Sequence, residues 1–183
     1  IDDGTIPNAW GSARMDDEGT PTRRNILIEN GILRSYLVDR MNGKKMQTAP
    51  TGSARRENYR FAPTSRMTNT FIAPGKSTPE QIIQDTENGL YARQMGGGSV
   101  DPATGAFNFA VLEAYRIRNG KICEPLRGAT LIGKGAEVLQ KIDYVGNNLK
   151  RAQGMCGSIS GSIPTDVGQP MIRVSEITVG GRG

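Results

Sequence analysis

The sequence predicts an α+β fold dominated by β-structure, with mostly antiparallel sheets, hairpins and about two packed helices. Three observations carry this. Two Asn-Gly dipeptides, Asn30-Gly31 and Asn119-Gly120, each stand between runs rich in apolar and β-branched residues. The chain of 183 residues holds 24 glycines and 10 prolines, which favour turns and strand ends over long helices. Helical spacing is confined to two short stretches.

Asn-Gly tolerates positive φ at both central positions of a type I′ turn, so each dipeptide predicts a hairpin. The first has arms over residues 24–29 and 32–38. The second has arms over residues 107–118 and 121–123, with the β-branched and aromatic content that strands prefer. Two such turns hint at a repeat without establishing one. Between them a helix is predicted to start at Thr78. Thr78 is the N-cap, Pro79 stands at the first helical position, Gln81 completes a capping box, and Gly89 closes the end. A second helix is predicted over residues 134–145, where Val138, Leu139, Ile142 and Val145 recur at helical spacing before Gly146. A last strand is expected over residues 171–179, where clean alternation implies one buried face and one wet face. Residues 43–70 show no period and read as a charged loop, with one further strand near residues 58–61.

Composition excludes several function classes. The apolar fraction is 36% and aromatics are 5%, so the core is aliphatic. A net charge of +5 is ordinary for a soluble domain. No apolar run approaches the ~18 residues of a membrane span, and no secretory signal opens the chain. The start, Ile1 followed by Asp2-Asp3-Gly4-Thr5, reads as the interior of a longer polypeptide. Two cysteines far apart, Cys123 and Cys156, do not make a disulfide scaffold, so a reducing cytoplasm is expected. There are no histidines. A Ser-His-Asp triad, a Cys-His dyad and a histidine metal site are therefore impossible within this chain, and hydrolytic chemistry would import its base or ligands.

Four features could carry chemistry. Cys156 sits in Gly154-Met155-Cys156-Gly157-Ser158-Ile159-Ser160-Gly161, where flanking glycines leave the thiol accessible; its thiolate could bind zinc or attack a carbonyl, against the plainer reading of an idle thiol. Cys123, in a hairpin arm, reads as packing. Gly96, Gly97 and Gly98 could cradle phosphate or admit a peptide backbone, but no P-loop lysine or Rossmann spacing follows, which favours a bulge or tight bend. Asp16-Asp17-Glu18 could ligate a hard cation, yet it lacks the spacing of a calcium loop and reads as a solvated turn ending at Gly19. Residues 43–70 interleave Tyr59 and Phe61 with arginines, as a single-stranded nucleic-acid surface would; a mobile charged loop is the plainer reading.

The chain resembles the TldD/PmbA family, whose older label is modulator of DNA gyrase. The segments that carry the resemblance run along nearly the whole chain. They are Asp2-Asp3-Gly4-Thr5, Asp16-Asp17-Glu18-Gly19-Thr20, Leu27-Ile28-Glu29-Asn30-Gly31, Arg66-Met67-Thr68-Asn69-Thr70, Gly89-Leu90-Tyr91-Ala92 and Gly96-Gly97-Gly98. Further along come Gly128-Ala129-Thr130-Leu131-Ile132-Gly133, Met155-Cys156-Gly157, Gly168-Gln169-Pro170 and Thr178-Val179-Gly180-Gly181. Their order and spacing together are specific. The resemblance implies that residues 1–183 form the single C-terminal domain of a TldD-type metalloprotease acting on unfolded or extended peptides. In that family a His-Glu-x-x-x-His helix upstream of this domain gives two zinc ligands and a general base, and a late cysteine completes the site. That cysteine matches Cys156. Zinc is thus expected only in the full-length protein, the fragment is expected to be inactive alone, and Gly96, Gly97 and Gly98 are expected to meet substrate backbone.

The family's usual Lys-x-Gly-Gln after the cysteine is replaced here by Ser158-Ile159-Ser160-Gly161, a departure expected to alter what surrounds the implied ligand, or the substrate contacts, without touching the ligand itself. The implied partners are a peptide, the N-terminal domain of the same protein, and a homo- or heterodimer with a paralogue; neither nucleic acid nor membrane is expected. The alternatives are a non-catalytic PmbA-type partner domain, or a nucleic-acid or gyrase-linked modulator.

Overall fold

A computed structural model describes residues 1–181. They form two compact units: Ile1–Ala73 with Leu149–Gln169, and Pro74–Asn148 with the chain from Pro170 onward. The fold is β-dominated α+β, with three helices among the described residues, each of seven residues or fewer, and several mostly antiparallel sheets. Among the described residues no helix is long and apolar enough to cross a membrane.

The first unit is built on a five-stranded sheet in the order Lys150–Ser158, Gly161–Gln169, Asn69–Phe71, Asp2–Asp3, Arg24–Asn25. Neighbours are antiparallel except the parallel pair of Gly161–Gln169 with Asn69–Phe71. Three of these strands have only two or three residues, and the unit's buried apolar side chains are Val38, Ala54 and Ile163. Buried carboxylates and amides tie the loops instead. Asp2 accepts from the Thr68 amide at 2.8 Å and from the Thr68 and Thr70 hydroxyls at 2.7 Å each. Asn69 accepts from the Gly11 amide at 3.0 Å and donates to the Asp3 carbonyl at 2.6 Å. Asp16 accepts from the amides of Glu18, Thr20 and Ala54. Apart from the two threonine hydroxyl bonds, each of these satisfies a backbone donor or acceptor.

The charged stretch is more ordered than the sequence suggests. Asp39 caps a helix, Arg40–Met46, accepting from the Asn42 amide at 2.7 Å, and Gln47 ends it in the left-handed region at φ 53°. Residues 58–61 are a turn rather than a strand. The Asn58 side chain accepts from the Arg60 amide at 3.0 Å, and the Asn58 carbonyl accepts from the Phe61 amide at 3.2 Å. A local side-chain bond there competes with ladder formation. The first Asn-Gly hairpin is also shorter than predicted. Asn30 and Gly31 have φ 51° and 76°, as the turn requires, but only Ile28–Glu29 and Ile32–Leu33 pair. Arg24–Asn25 joins the main sheet, and residues 28–33 of the hairpin are exposed.

In the second unit the hairpin Ala106–Arg118 and Lys121–Leu126 turns at Asn119 and Gly120, with φ 47° and 70°. Ala106–Arg118 also pairs with Asn88–Val100 and with Thr130–Lys134, which pairs in turn with Thr178–Gly180. Val111, Ala114 and Ala129 form the buried centre, packed by Leu90, Ala92, Leu126 and Leu131, so this core is aliphatic. The capping box at Thr78 forms as predicted, over Pro79–Gln84. The helix ends at Gln84, and Gly89 lies within the strand Asn88–Val100.

Two predicted elements divide. Residues 134–145 become a helix, Gly135–Gln140, and a strand, Ile142–Val145, because Ile142 and Tyr144 alternate with exposed Asp143. Residues 171–179 become Ile172–Val174, paired with Ile142–Val145, and Thr178–Gly180. All three residues of Ile172–Val174 are half-buried, so the expected single wet face is absent there. Arg173 explains why: it forks onto both oxygens of Asp143, at 2.9 and 2.7 Å, and lies 4.1 Å over the Tyr144 ring.

Two predictions follow from these local geometries. Gly31→Ala should cost about 1–2 kcal/mol from the left-handed backbone alone, since nothing lies within 4 Å of the added carbon. Gly120→Ala should cost more, since its Cβ would stand 2.5 Å from the Gln84 carbonyl oxygen; denaturant midpoints of the two variants check the order. Burial pushes the Asp39 carboxyl up, but the hydrogen bonds from Asn42 and Ser65 outweigh it and hold the pKa below the usual value. A depressed folded-state pKa stabilises above the unfolded value and is lost as pH falls through the folded one. Asp39→Asn should therefore flatten the fall of melting temperature below about pH 5; an unchanged acid limb would contradict this.

Candidate functional site

Cys156 lies near the tip of the hairpin formed by Lys150–Ser158 and Gly161–Gln169, which pair along their whole length. Gly161 supplies a positive φ of 89° at the turn, where a Cβ would stand 2.4 Å from that of Glu57. Cys156 is opposite Ile163, and directly opposed residues project to one face. Ile163 is buried, so the half-buried thiol stands over packed structure, while Met155 points to the other face and is exposed. Among the described residues, the outer edge of Lys150–Ser158 has no pairing strand.

The tip is clamped from the stretch that the sequence left irregular. Arg66, 4% exposed, donates to the Ser160 hydroxyl at 2.6 Å, to the Gly161 carbonyl at 2.9 Å and to the Cys156 carbonyl. Thr64 donates to the Ser160 hydroxyl at 3.1 Å. The Glu57 amide donates to the Ser160 carbonyl at 2.9 Å, and the Glu57 carboxylate accepts from the Ser162 amide at 2.7 Å. Arg66 has no carboxylate in salt-bridge range among the described residues. These positioning residues were not singled out as a site by the sequence, although Arg66 opens one of the segments that carried the resemblance.

A pocket of about 190 Å³ adjoins the same hairpin, lined by Asp17, Arg55, Arg56, Glu57, Ser162 and Pro164 among others. Arg55 donates through Nη1 to the carbonyls of Met67 and Pro164, each at 2.7 Å. Burial pushes the Arg55 pKa down, while Asp17 and Asp2 oppose that shift.

The remaining candidates fall as follows. Asp16 is buried, Asp17 accepts from the Arg56 amide at 2.9 Å, and Glu18 accepts from the Arg40 amide at 2.8 Å, so all three acids hold backbone. Cys123 donates to the Lys121 carbonyl at 3.4 Å, and both cysteines are free thiols. Gly96, Gly97 and Gly98 lie in the second unit, where the ladder slips register between Ala92 and Gly98. A Cβ at Gly98 would stand 2.1 Å from the Asn108 carbonyl oxygen, which accounts for that glycine by packing. Of the basic residues in 43–70, Arg66 is buried and Arg55 half-buried, both bound to main-chain carbonyls rather than displayed to a polyanion. No group of three or more metal-competent side chains occurs among the described residues. With no histidine in the sequence, Cys156 fits zinc only as a single contributor to a site completed from elsewhere.

Arg66→Met should remove the guanidinium's bonds to the Gly161 and Cys156 carbonyls and leave the Ser160 hydroxyl with only its bond from Thr64, at about 1–3 kcal/mol for each buried acceptor left unsatisfied. Hydrogen exchange at residues 156–161 should accelerate while the second unit is unchanged; equal protection in both proteins would contradict the clamp.

The family profile described as the PmbA/TldA metallopeptidase C-terminal domain matches residues 1–181. A metalloprotease TldD homolog of Buchnera aphidicola is 50% identical over 183 residues, which cover 99% of this chain and 38% of that protein. A zinc metalloprotease TldD homolog of Saccharolobus solfataricus is 33% identical over 166 residues, 91% of this chain and 37% of that protein. The crystal structure of TldE from Thermococcus kodakarensis superposes with a TM-score of 0.77 at 26% identity, over 98% of this chain and 39% of that one. The chain thus spans about two fifths of the relatives that it matches. The match along essentially its whole length makes this chain a member of the PmbA/TldA metallopeptidase C-terminal domain family.

Proposed function

We propose that this chain is the C-terminal domain of a zinc-dependent peptidase acting on unfolded or extended peptides, with Cys156 as one zinc ligand. The observation that carries the reading is the placement of Cys156: a half-buried thiol, its main chain clamped by Arg66, on a strand whose outer edge is unpaired. The name of the Saccharolobus relative, a zinc metalloprotease, supports the metal. Zinc with two imidazoles and one thiolate keeps a position open for water and lowers that water's pKa. The imidazoles would come from polypeptide outside these 183 residues, as the lack of histidine requires, and the general base is proposed to come with them.

The chain's own contribution is positional. Arg66, Thr64 and Glu57 hold the tip, so that the thiol is presented without ordering on binding. An extended peptide would add to the free edge of Lys150–Ser158 through main-chain hydrogen bonds, which gives affinity with little sequence preference. The same proposal assigns Gly96, Gly97 and Gly98 to close approach of substrate backbone. Gly97 is the position with room, since nothing lies within 4 Å of where its Cβ would stand. The partners that we propose are the N-terminal domain of the same protein and a second, homologous subunit. The free thiols suit a reducing cytoplasm. A PmbA-type partner domain without zinc is the competing reading, and metal content separates the two.

In the complete protein, Cys156→Ser should lower bound zinc and peptidase activity together by at least 10-fold, with melting temperature little changed. Metal analysis of the purified protein and cleavage of an unfolded peptide check this. Full zinc and full activity in the variant would remove Cys156 from the site.

A further inference from the structure

We propose that the pocket beside the Cys156 hairpin is a carboxylate-binding subsite anchored by Arg55, taking an acidic side chain or the C-terminal carboxylate of a peptide. The inference deepens the peptidase reading and rests on it for the peptide, but not for the carboxylate. Arg55 uses only Nη1, on the carbonyls of Met67 and Pro164. Its Nε and Nη2 carry three further N–H groups with no partner among the described residues. The sole buried side-chain nitrogen or oxygen without a partner, among the described residues, is Asp166 Oδ1, so Nε and Nη2 of Arg55 must reach solvent. Arg55 is one of the residues that line the pocket.

The acids around the pocket do not fill this role. Asp16 accepts three backbone amides, Asp17 accepts from the Arg56 amide at 2.9 Å, and Glu57 accepts from the Ser162 amide at 2.7 Å. None lies within 4.0 Å of the guanidinium as a salt bridge among the described residues. A half-desolvated guanidinium with a free N–H fork matches a carboxylate in two parallel hydrogen bonds. The volume, about 190 Å³, is below the roughly 300 Å³ where small-molecule sites begin and suits a carboxylate with its neighbouring methylenes. Pro164, whose carbonyl Arg55 holds, follows Ile163, the cross-strand partner of Cys156. The subsite is thus one strand away from the thiol, within reach of a residue of the same extended peptide.

The test is a titration of the protein followed through the backbone amides of Ser162 and Arg56 by NMR. The probes are acetyl-dialanine with a free carboxylate, its C-terminal amide, acetyl-glutamate amide and acetyl-glutamine amide. Binding of a carboxylate probe at least 10-fold tighter than its matched neutral amide is the expected result. A response to acetyl-dialanine alone identifies a chain end, and a response to acetyl-glutamate amide alone identifies an acidic side chain. Arg55→Lys keeps the charge but loses the fork, and should weaken the preferred probe about 10-fold. Should that variant not fold, Asp17→Asn decides: it keeps an acceptor for the Arg56 amide, removes a nearby negative charge, and should tighten binding about 3-fold. Equal affinity for carboxylates and amides, no response at Ser162 and Arg56, or weaker binding by Asp17→Asn overturns the proposal. Because no catalysis is read, loss of this subsite and loss of the peptidase reading are separate results.

Discussion

A buried guanidinium holds the thiol hairpin in place. Arg66 reaches carbonyls on both sides of the turn, at Cys156 and Gly161, and the hydroxyl between them at Ser160. A buried charge without a counter-ion is costly unless its hydrogen bonds are made, so the clamp and the conformation of the tip are mutually dependent. The position of Cys156 is therefore set by a residue 90 positions earlier in the chain. The same segment supplies Glu57 and Thr64 to the tip and Arg55 to the adjoining pocket.

The two units reach order by different routes. The second is a conventional one: long ladders, an aliphatic centre around Val111, Ala114 and Ala129, and Tyr91 stacked on Tyr115 at 6.4 Å across two strands. The first has little apolar burial and, beyond the Cys156 hairpin, very short strands, and is ordered by carboxylates that each receive several donors. Asp2, Asp16 and Asp39 take three or four hydrogen bonds apiece. Such a network specifies one arrangement, because any partial version leaves buried polar groups unsatisfied. It also fixes loop backbone close to the thiol, which suits a site that must be presented without rearrangement.

This contrast explains what could be read in advance. The Asn30-Gly31 and Asn119-Gly120 turns and the Thr78 capping box were legible because their physics is local to two or four residues. The helix after Asp39 was not, since its cap is secured by Ser65, distant in sequence. Residues 134–145 misled because Ile142 and Val145 fit a helical spacing while Ile142 and Tyr144 fit a strand, and pairing with Ile172–Val174 decided the matter. Family resemblance pointed to Cys156 from its Met155-Cys156-Gly157 segment. The clamp and the pocket were not legible, because Arg55 and Arg66 look like solvated charges until the fold turns them inward. Several of the segments that carried the resemblance, such as Asp2-Asp3-Gly4-Thr5 and Arg66-Met67-Thr68-Asn69-Thr70, turn out to bond to one another.

The central claim, that Cys156 ligates zinc, is tested most directly by zinc-edge X-ray absorption on the complete protein. The account predicts one sulfur scatterer at about 2.3 Å beside nitrogen or oxygen neighbours at about 2.0–2.1 Å. A zinc shell of nitrogen and oxygen alone would contradict it, and would return Cys156 to the role of a half-buried thiol on an edge strand.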